Sequence, residues 1–271
     1  MDKSAWEALR PVLDVLNERQ LSLIADVAKQ FTLPKTFVCN SYKLKNGVEL
    51  LTQDIADDLG DIIRIHHAFS REAFSKDKFE YALERVQKIH NRPAQMASRG
   101  NKGYDIEIEG ERFSLKTEAS RNIKPNSIHI SKFMELGGGQ WGTDPDDLKG
   151  LRQQFLNHLN GYDRILTLRR LPTSASNLHS YELVAIPKDL METAAQGELE
   201  MKLSSKQTPR PGYCYVGNKG WAYLSEEKIY PKHLQFALYF DGGGERKLQI
   251  KHLKKNLCSV VATWQFESST L

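Results

Sequence analysis

The stretch YDIEIEGERFSLKTEAS, residues 104–120, alternates apolar and polar side chains on both sides of a glycine. Side chains in a strand point alternately to opposite faces of a sheet, so this pattern is typical of a two-stranded hairpin. We predict the hairpin over residues 103–118. Its apolar face carries Ile106, Ile108, Phe113, Leu115 and Thr117. Its polar face carries Asp105, Glu107 and Glu109 from the first strand and Arg112, Ser114, Lys116 and Glu118 from the second.

Gly110 suits a two-residue turn in which it is either the second or the first turn residue. The first arrangement sets Asp105 opposite Ser114, and the other sets Asp105 opposite Lys116. Both keep the charged side chains on one side of the sheet, whereas a slip of one residue would mix them with the apolar set. The alternation therefore predicts the face of each residue and leaves two registers open.

Carboxylates and a lysine on one strand face supply the groups needed for metal-assisted cleavage of a phosphodiester. Cross-strand pairs have Cβ atoms roughly 4.5–5.5 Å apart, and we predict that Asp105 and Glu118 share a hard cation such as Mg²⁺. Lys116 beside them is predicted to orient or help deprotonate a metal-bound water and to neutralise a phosphate. A solvated sheet face explains the same pattern without catalysis, so the hairpin alone leaves both interpretations open.

The rest of the chain predicts helices and strands in the order of an α/β core with a mixed sheet. Apolar residues at helical spacing predict helices over 5–30, 53–69, 75–91 and 145–161. Ser75 and Asp144 are the predicted N-caps of the last two. Strands are predicted over 126–133, 163–171 and 180–187, then a short helix over 188–197 and further strands towards the C-terminus.

Composition and charge narrow the class of protein. The 271 residues are 40% apolar and 27% charged, which is ordinary for a globular protein, and no run of eighteen apolar residues suits a membrane span. The N-terminal stretch lacks the apolar region of a signal peptide. Three widely spaced cysteines, Cys39, Cys214 and Cys258, indicate reduced thiols and a cytoplasmic protein. A net charge of +4 permits a nucleic-acid partner without requiring one.

The hairpin in its setting resembles the active site of the PD-(D/E)XK nucleases. In that superfamily an Asp on one strand precedes a (D/E)-x-K on the next, and an upstream helix carries a Glu. The resemblance implies a restriction-endonuclease-like fold of the α/β (α+β) class, with a central mixed β-sheet flanked by helices. It makes Asp105 a metal-binding residue, Lys116 the catalytic lysine, and Glu80 on the helix of residues 75–91 an additional acidic residue.

Two departures from the superfamily pattern concern the metal site. Tyr104 stands where the pattern has proline, and Ser114 stands at the (D/E) position, where a hydroxyl is a poor ligand for Mg²⁺. Glu118, two residues beyond Lys116 on the same face, is the first candidate for the missing carboxylate, and Glu107 is the second.

A more specific resemblance, to one family of type II restriction endonucleases, extends over most of the chain. It is carried by LKTEASRNI (115–123), IHISKFMELGGGQW (128–141), SKQTPRPGY (205–213) and LYFDGGGERKLQIKHL (238–253). The resemblance implies Mg²⁺-dependent cleavage of double-stranded DNA at a palindromic G/C site, CCCGGG, with a blunt cut at its centre. It also implies a homodimer, because a palindrome matches a two-fold symmetric protein, and a cognate DNA methyltransferase encoded nearby.

Basic residues in these segments are the predicted DNA contacts, because arginine and lysine are the commonest readers of guanine. The residues predicted to read bases are Lys206, Gln207, Arg210, Arg246 and Lys247. Those predicted to contact phosphates near the cut are Arg121, Lys124 and Lys132. The glycines at 242–244 either let the backbone approach DNA closely or form a plain turn.

The whole chain, residues 1–271, is predicted to form one restriction-endonuclease domain. Within it we expect a helical part over 1–74, a nuclease core over 75–171, and C-terminal strands with DNA-contacting loops over 172–271. Two other functions stay open on the sequence. One is a non-catalytic DNA-binding protein on a nuclease fold, with Ser114 marking a decayed site, and the other is an endonuclease that nicks one strand as a monomer.

Overall fold

The structure is a computed structural model, and it describes residues 3–98, 100–101, 103–120, 122–137, 141–221 and 231–269. The helices are α1 (Lys3–Leu13), α2 (Glu18–Gln30), α3 (Gln53–Phe69), α4 (Lys76–Ile89), α5 (Asp147–Leu159) and α6 (Lys188–Glu192). Short 3₁₀ helices lie at Thr193–Gln196 and Lys255–Leu257. Among these described helices, none is long and apolar enough to cross a membrane.

The strands form two sheets. They are β1 (Lys35–Cys39), β2 (Ala94–Met96), β3 (Ile106–Ile108), β4 (Glu111–Glu118), β5 (Ser127–Glu135), β6 (Arg164–Leu171), β7 (Leu178–Ile186), β8 (Glu198–Met201), β9 (Gly212–Trp221), β10 (Pro231–Asp241), β11 (Lys247–Lys254) and β12 (Ser259–Glu267). The first sheet has the order β1-β12-β7-β6-β4-β3-β2. In this sheet β4 runs parallel to β6, and the other described pairs of neighbouring strands are antiparallel. The second sheet has the order β5-β11-β10-β9-β8.

Two apolar clusters hold the layers together. The first packs α3 and α4 against one face of the seven-stranded sheet, including the predicted apolar face of the hairpin at Ile106 and Phe113. The second packs α5 and the five-stranded sheet against the opposite face, through Ile165, Val184 and Ile186. The fold is therefore a mixed α+β structure with a large mixed sheet flanked by helices, as the sequence predicts. On the polar face of the hairpin, Ser114, Lys116 and Glu118 are buried, whereas Glu107 and Arg112 remain partly exposed.

The hairpin adopts one of the two registers that the sequence left open. Ile106 lies opposite Phe113, and the turn residues Glu109 and Gly110 have φ values of 52° and 78°. Positive φ at both central residues is the geometry of the tight hairpin turn that favours glycine. The described pairing ends at Ile106 and Phe113, and Asp105 departs from the register by one residue, because its N–H donates to the Phe113 carbonyl at 2.8 Å.

Two sequence predictions of local structure are wrong. The single helix over 5–30 is two helices, because Asn17 caps α2 with a reciprocal capping box to Gln20. The N-cap of α5 is Asp146, since Asp144 forms the preceding turn, in which its carbonyl accepts from Asp147 at 3.1 Å. The strand predicted over 126–133 is confirmed as β5, and it pairs with β11 in the second sheet, since β3 and β6 occupy both edges of β4.

Candidate active site

Asp105 is fixed by the hairpin at the point where β3 begins. Its Oδ2 accepts a hydrogen bond from the backbone N–H of Leu115 at 2.6 Å and from the Ser114 hydroxyl at 3.4 Å. Ser114 is buried, so its hydroxyl orients the aspartate from within the sheet. The residue that departs from the superfamily pattern therefore supports Asp105, whose Oδ1 points to other partners.

The partner of Asp105 Oδ1 is Lys76, in the first turn of α4, which Ser75 caps by accepting a hydrogen bond from the Lys78 N–H. The ammonium of Lys76 lies 2.7 Å from Asp105 Oδ1 and 2.8 Å from Glu80 Oε1. The Asp105 and Glu80 side chains are 21% and 13% exposed, which leaves them open to a cleft without being fully solvated. The structure thus brings together two of the predicted acidic residues around one positive charge.

Lys116 stands beside this group on β4 and is buried. Burial lowers the pKa of its amine to about 8, against the opposing attraction of the Asp105 carboxylate. Its Nζ lies 5.3 Å from the ring centroid of Phe133. A lysine of this kind is held in one place and gives up its proton more readily than an exposed one, which suits a role in proton transfer.

Sequence reasoning missed three residues around this group, namely Lys76, His158 and Tyr162. His158 lies in the last turn of α5 and Tyr162 follows the helix, and burial lowers the pKa of His158 to about 4, with Lys116 adding to the effect. Burial, with a smaller contribution from Asp105, raises the pKa of Tyr162. No spacing in the sequence links these positions to the hairpin. The close packing of Gly161 on Gly103, where an added Cβ would lie 2.7 Å from a backbone atom, is what brings α5 to the site.

The other predicted carboxylates do not join Asp105 in the structure. Glu118 is buried and ion-paired with Arg169, and its Oε1 accepts from the His129 N–H at 3.0 Å. Burial raises the pKa of Glu118, and the attraction of Arg169 opposes that rise. Glu107 lies opposite Arg112 across the hairpin, 3.8 Å from its guanidinium, and is half exposed. As metal ligands, both remain predictions that require these contacts to be broken.

The donor set fits a magnesium ion. Within the part of the chain that the structure describes, no group of three or more His, Cys, Asp or Glu side chains is arranged around a single metal position. Two carboxylates nevertheless enclose the Lys76 ammonium, so a cation already occupies the place between them. Mg²⁺ commonly takes one or two carboxylates and completes its shell with waters and substrate phosphate oxygens. A cleft of about 370 Å³ beside Glu80, Tyr104 and Asp105 leaves room for such a substrate.

The predicted base readers lie in loops that meet. The Arg210 N–H donates to the Gly142 carbonyl at 2.8 Å, and the Trp141 indole donates to the Arg210 carbonyl at 2.9 Å. Gly242 approaches Pro209 so closely that an added Cβ would lie 2.0 Å from the Pro209 carbonyl oxygen. Of the glycines at 242–244, the first, Gly242, therefore allows the two loops to pack closely together.

The side chains of the predicted DNA contacts differ in solvent exposure and in ion pairing. Lys206, Gln207 and Arg246 are exposed, whereas Arg210 is half buried. Lys132 and Lys247 are ion-paired with Glu135 and Glu245. Lys124 is exposed, and its carbonyl accepts from Arg169 at 3.0 Å. Arg121 lies outside the described residues.

Comparison with known proteins identifies the class of enzyme to which this fold and site correspond. The family model of SmaI, a type II site-specific deoxyribonuclease, matches residues 9–266. The type II restriction enzyme SmaI of Serratia marcescens is 40% identical over 252 residues, which cover 93% of this chain and 93% of that protein. The chain therefore belongs to the SmaI family of type II restriction endonucleases.

A solved structure described as a restriction endonuclease in complex with substrate DNA is 13% identical, with a TM-score of 0.29. The match covers 49% of this chain and 59% of that one. The family assignment rests on the sequence matches. They confirm the resemblance to type II restriction endonucleases and make the protein a site-specific deoxyribonuclease that acts on DNA.

Proposed function

We propose that this enzyme hydrolyses both strands of double-stranded DNA at the palindrome CCCGGG in a Mg²⁺-dependent reaction, leaving blunt ends at the centre. The observation that carries the metal dependence is the enclosure of one cation position by Asp105 and Glu80 next to Lys116. The 40% identity to SmaI supports the proposed recognition sequence.

Each residue of the site has a proposed role. Asp105 and Glu80 hold the metal, which would supply Lewis-acid activation of water and charge neutralisation at the phosphate. Ser114 and the Leu115 N–H keep the Asp105 carboxylate oriented. Lys116, with its lowered pKa, positions the attacking water and accepts its proton.

The convergence of the loops supports a common DNA-reading surface. Lys206, Gln207 and Arg210 lie on one loop, Arg246 ends a second loop and Lys247 begins β11, and the two loops pack together through Pro209 and Gly242. We assign base reading to these five residues and phosphate contacts to Arg121, Lys124 and Lys132. Loss of a bidentate guanine contact costs about 1–3 kcal/mol of discrimination, so Arg246→Ala would relax specificity at one base pair.

The α1–α2 pair supports the proposed homodimer. Of fourteen large apolar side chains exposed among the described residues, eight lie in this segment or just after it: Trp6, Leu9, Val12, Val15, Leu21, Leu23, Ile24 and Phe31. An isolated helix of this length is marginal in water unless its apolar face is packed. The base of the pair is clamped to the body, since the Gln30 amide donates to Ser269 Oγ at 2.8 Å and Arg64 donates to the Leu33 carbonyl at 3.1 Å.

Charge and area favour a second copy of the chain as the occupant of this face. The segment of residues 3–30 carries four basic and four acidic side chains, so it does not attract the DNA backbone. If each of the eight apolar side chains buries about 50 Å² more, two copies remove about 800 Å² of apolar surface, as a standard-sized interface needs. The second copy would supply the other active site that a palindrome requires.

Sedimentation of the purified enzyme tests this interface. We expect a dimer for the parent and a monomer for the Leu9→Glu/Ile24→Glu variant. The control Val48→Glu changes an exposed apolar residue outside the α1–α2 pair and is expected to stay dimeric. A parent that is monomeric both free and on DNA, and that nicks one strand, would contradict the double-strand cut and favour a nicking enzyme.

The cellular setting follows from the proposed activity. A host that carries this endonuclease must protect its own DNA, so we propose a cognate methyltransferase encoded nearby. We also propose that the enzyme works in the cytoplasm, where its DNA substrate and reducing conditions are found, and Cys39, Cys214 and Cys258 are all free thiols.

Cleavage of a plasmid with a single CCCGGG site tests the proposal directly. We expect one linear product with blunt central ends in the presence of Mg²⁺, none in EDTA, and no cutting of a matched plasmid that lacks the site. Asp105→Asn is expected to lose at least about 10³-fold in rate, since it loses the charge of a metal ligand. Tight binding of CCCGGG DNA by the parent without any cutting would contradict a catalytic role.

A further inference from the structure

We infer that the Lys76 ammonium is the resident cation of the metal-free active site, and that a divalent metal binds there by displacing it. The inference rests on the proposed metal dependence and adds a residue that the superfamily pattern does not contain. It assigns Lys76 to the control of metal entry, separately from the proton transfer assigned to Lys116.

The contacts of Lys76 make it and a metal mutually exclusive. Its Nζ lies 2.7 Å from Asp105 Oδ1 and 2.8 Å from Glu80 Oε1, so these two oxygens are at most 5.5 Å apart, the sum of the two distances. A magnesium ion bound to both oxygens at about 2.0–2.1 Å would occupy the same space. Two cations cannot share it, so the ammonium must leave when the metal enters.

Lys76 is able to leave, whereas Lys116 is not. The Lys76 side chain is 38% exposed and begins in the first turn of α4, on a flexible four-carbon stem at the edge of the cleft. Lys116 is buried on β4, an inner strand of the seven-stranded sheet. The structure therefore places a removable positive charge between the two carboxylates and a fixed one near them.

The partner that we propose for a displaced Lys76 is a phosphate of DNA bound in the cleft. When Lys76 neutralises one of the two carboxylate charges, the site attracts a divalent cation less strongly. A phosphate in the cleft would compete for the ammonium and would leave both carboxylates to the metal. DNA and metal should then bind with positive coupling, which linkage makes reciprocal.

Titration of DNA-free protein with Mn²⁺, followed by the electron paramagnetic resonance signal of the free ion, tests this exchange. We expect Lys76→Gln to bind Mn²⁺ about tenfold or more tightly than the parent, because two charge-assisted hydrogen bonds need not be broken. Lys88→Gln is the matched control, since Lys88 forms a 2.8 Å ion pair with Glu84 on the same helix. We expect the control to change the affinity by about twofold or less, as a general loss of charge would.

A second variant keeps the test independent of charge removal. Lys76→Arg retains the cation and can bridge both carboxylates, so its Mn²⁺ affinity should not exceed that of the parent. With a non-cleavable phosphorothioate CCCGGG duplex present, the parent should gain more Mn²⁺ affinity than Lys76→Gln does. Thermal denaturation of each variant checks that it is folded.

The outcomes separate this inference from the proposed function. Equal Mn²⁺ affinity in the parent and Lys76→Gln, or an equal gain in Lys88→Gln, would overturn the displacement of Lys76 while leaving the metal site standing. Absence of Mn²⁺ binding in the parent and in Lys76→Gln, with and without DNA, would overturn the proposed metal dependence and this inference together.

Discussion

Strand β4 contributes one residue to each of two charged clusters, Lys116 to the first and Glu118 to the second, and the clusters differ in how completely their charges are paired. The active-site cluster consists of Lys76, Glu80, Asp105 and Lys116. The Arg169 cluster consists of Glu118, Arg169, Glu182 and Lys255. Each contains two acidic and two basic side chains, so composition does not separate them.

Hydrogen bonding and exposure do separate them. All three guanidinium nitrogens of Arg169 donate, to the carboxylates of Glu118 and Glu182 and to the carbonyls of Lys124, Pro125 and Ser127. Both carboxylates of that cluster have side chains only 3% exposed. A closed network of this kind fixes a structure and has no place for a substrate. The active-site cluster faces a cleft and contains a cation that can be exchanged.

The largest effect should come from Lys116. We expect Lys116→Met to lower the single-turnover cleavage rate about 10³-fold or more, because proton transfer and charge neutralisation are both lost. Its stability to urea should be unchanged or higher, since burial disfavours the charged amine, as its pKa of about 8 reflects. Cleavage within tenfold of the parent would show that Lys116 belongs with the structural cluster.

Replacement of Arg169 should instead lower the stability of the fold. Removing one partner of a buried ion pair leaves an uncompensated charge, so Arg169→Met is expected to lose about 3–5 kcal/mol in the free energy of unfolding. Arg112→Met is the control, because Arg112 is 54% exposed and lies 3.8 Å from Glu107, a pair worth about 1 kcal/mol or less. Adding Glu118→Gln and Glu182→Gln to Arg169→Met should restore part of the loss in denaturant titrations.

The choice of the second metal-binding carboxylate decides whether the comparison holds. We expect Glu80→Gln to reduce cleavage about 10²-fold, because Glu80 shares the cation position with Asp105. Glu118→Gln should change the rate per folded molecule by less than about threefold, because its carboxylate is held by Arg169. Reversal of these two results would make Glu118 the ligand and would require the Arg169 pair to open during catalysis.

The sequence predicted the hairpin, the faces of its residues and the helix that carries Glu80, because periodicity and the Ser75 cap are local signals. It could not predict what covers the polar face. The same alternation suits solvent or a second sheet, and the long-range pairing of β5 with β11 decides between them. The sequence therefore predicts Glu118 as a metal-binding carboxylate without indicating its ion pair with Arg169 on the neighbouring strand.

Lys76 shows a second limit of sequence reasoning. In the chain it is a lysine four residues before a glutamate in the first turn of a helix, which is typical of a solvated ion pair. Its contact with Asp105, 29 residues away, depends on how α4 packs against the hairpin. No local pattern encodes that distance, so the cation within the site emerges only from the fold.

A buried histidine pair adds a third kind of polar group, one that is satisfied while uncharged. The rings of His67 and His179 stack with centroids 3.9 Å apart. His67 Nδ1–H donates to the Ser70 carbonyl at 3.0 Å, and its Nε2 accepts from the Tyr181 hydroxyl at 2.8 Å. The Tyr181 oxygen accepts in turn from the Phe74 N–H at 3.1 Å. Each polar atom of this chain of hydrogen bonds is matched only if His67 stays neutral.

Acid should therefore destabilise the fold through this pair, with a smaller effect than the loss of Arg169. Burial lowers the pKa of His67 to about 3 and that of His179 to about 4, whereas unfolded histidines titrate near 6.5. The unfolded chain thus binds more protons below pH 6.5, so stability is complete above that pH and falls as the pH drops towards 4. At pH 5 each histidine lowers the free energy of unfolding by about 2 kcal/mol, from 1.5 pH units at 1.36 kcal/mol each.

His179→Gln should reduce the slope of unfolding free energy against pH by about 1.4 kcal/mol per unit between pH 4.5 and 6 in urea titrations. Parallel curves for the parent and the variant would mean that His179 takes up its proton in the folded protein.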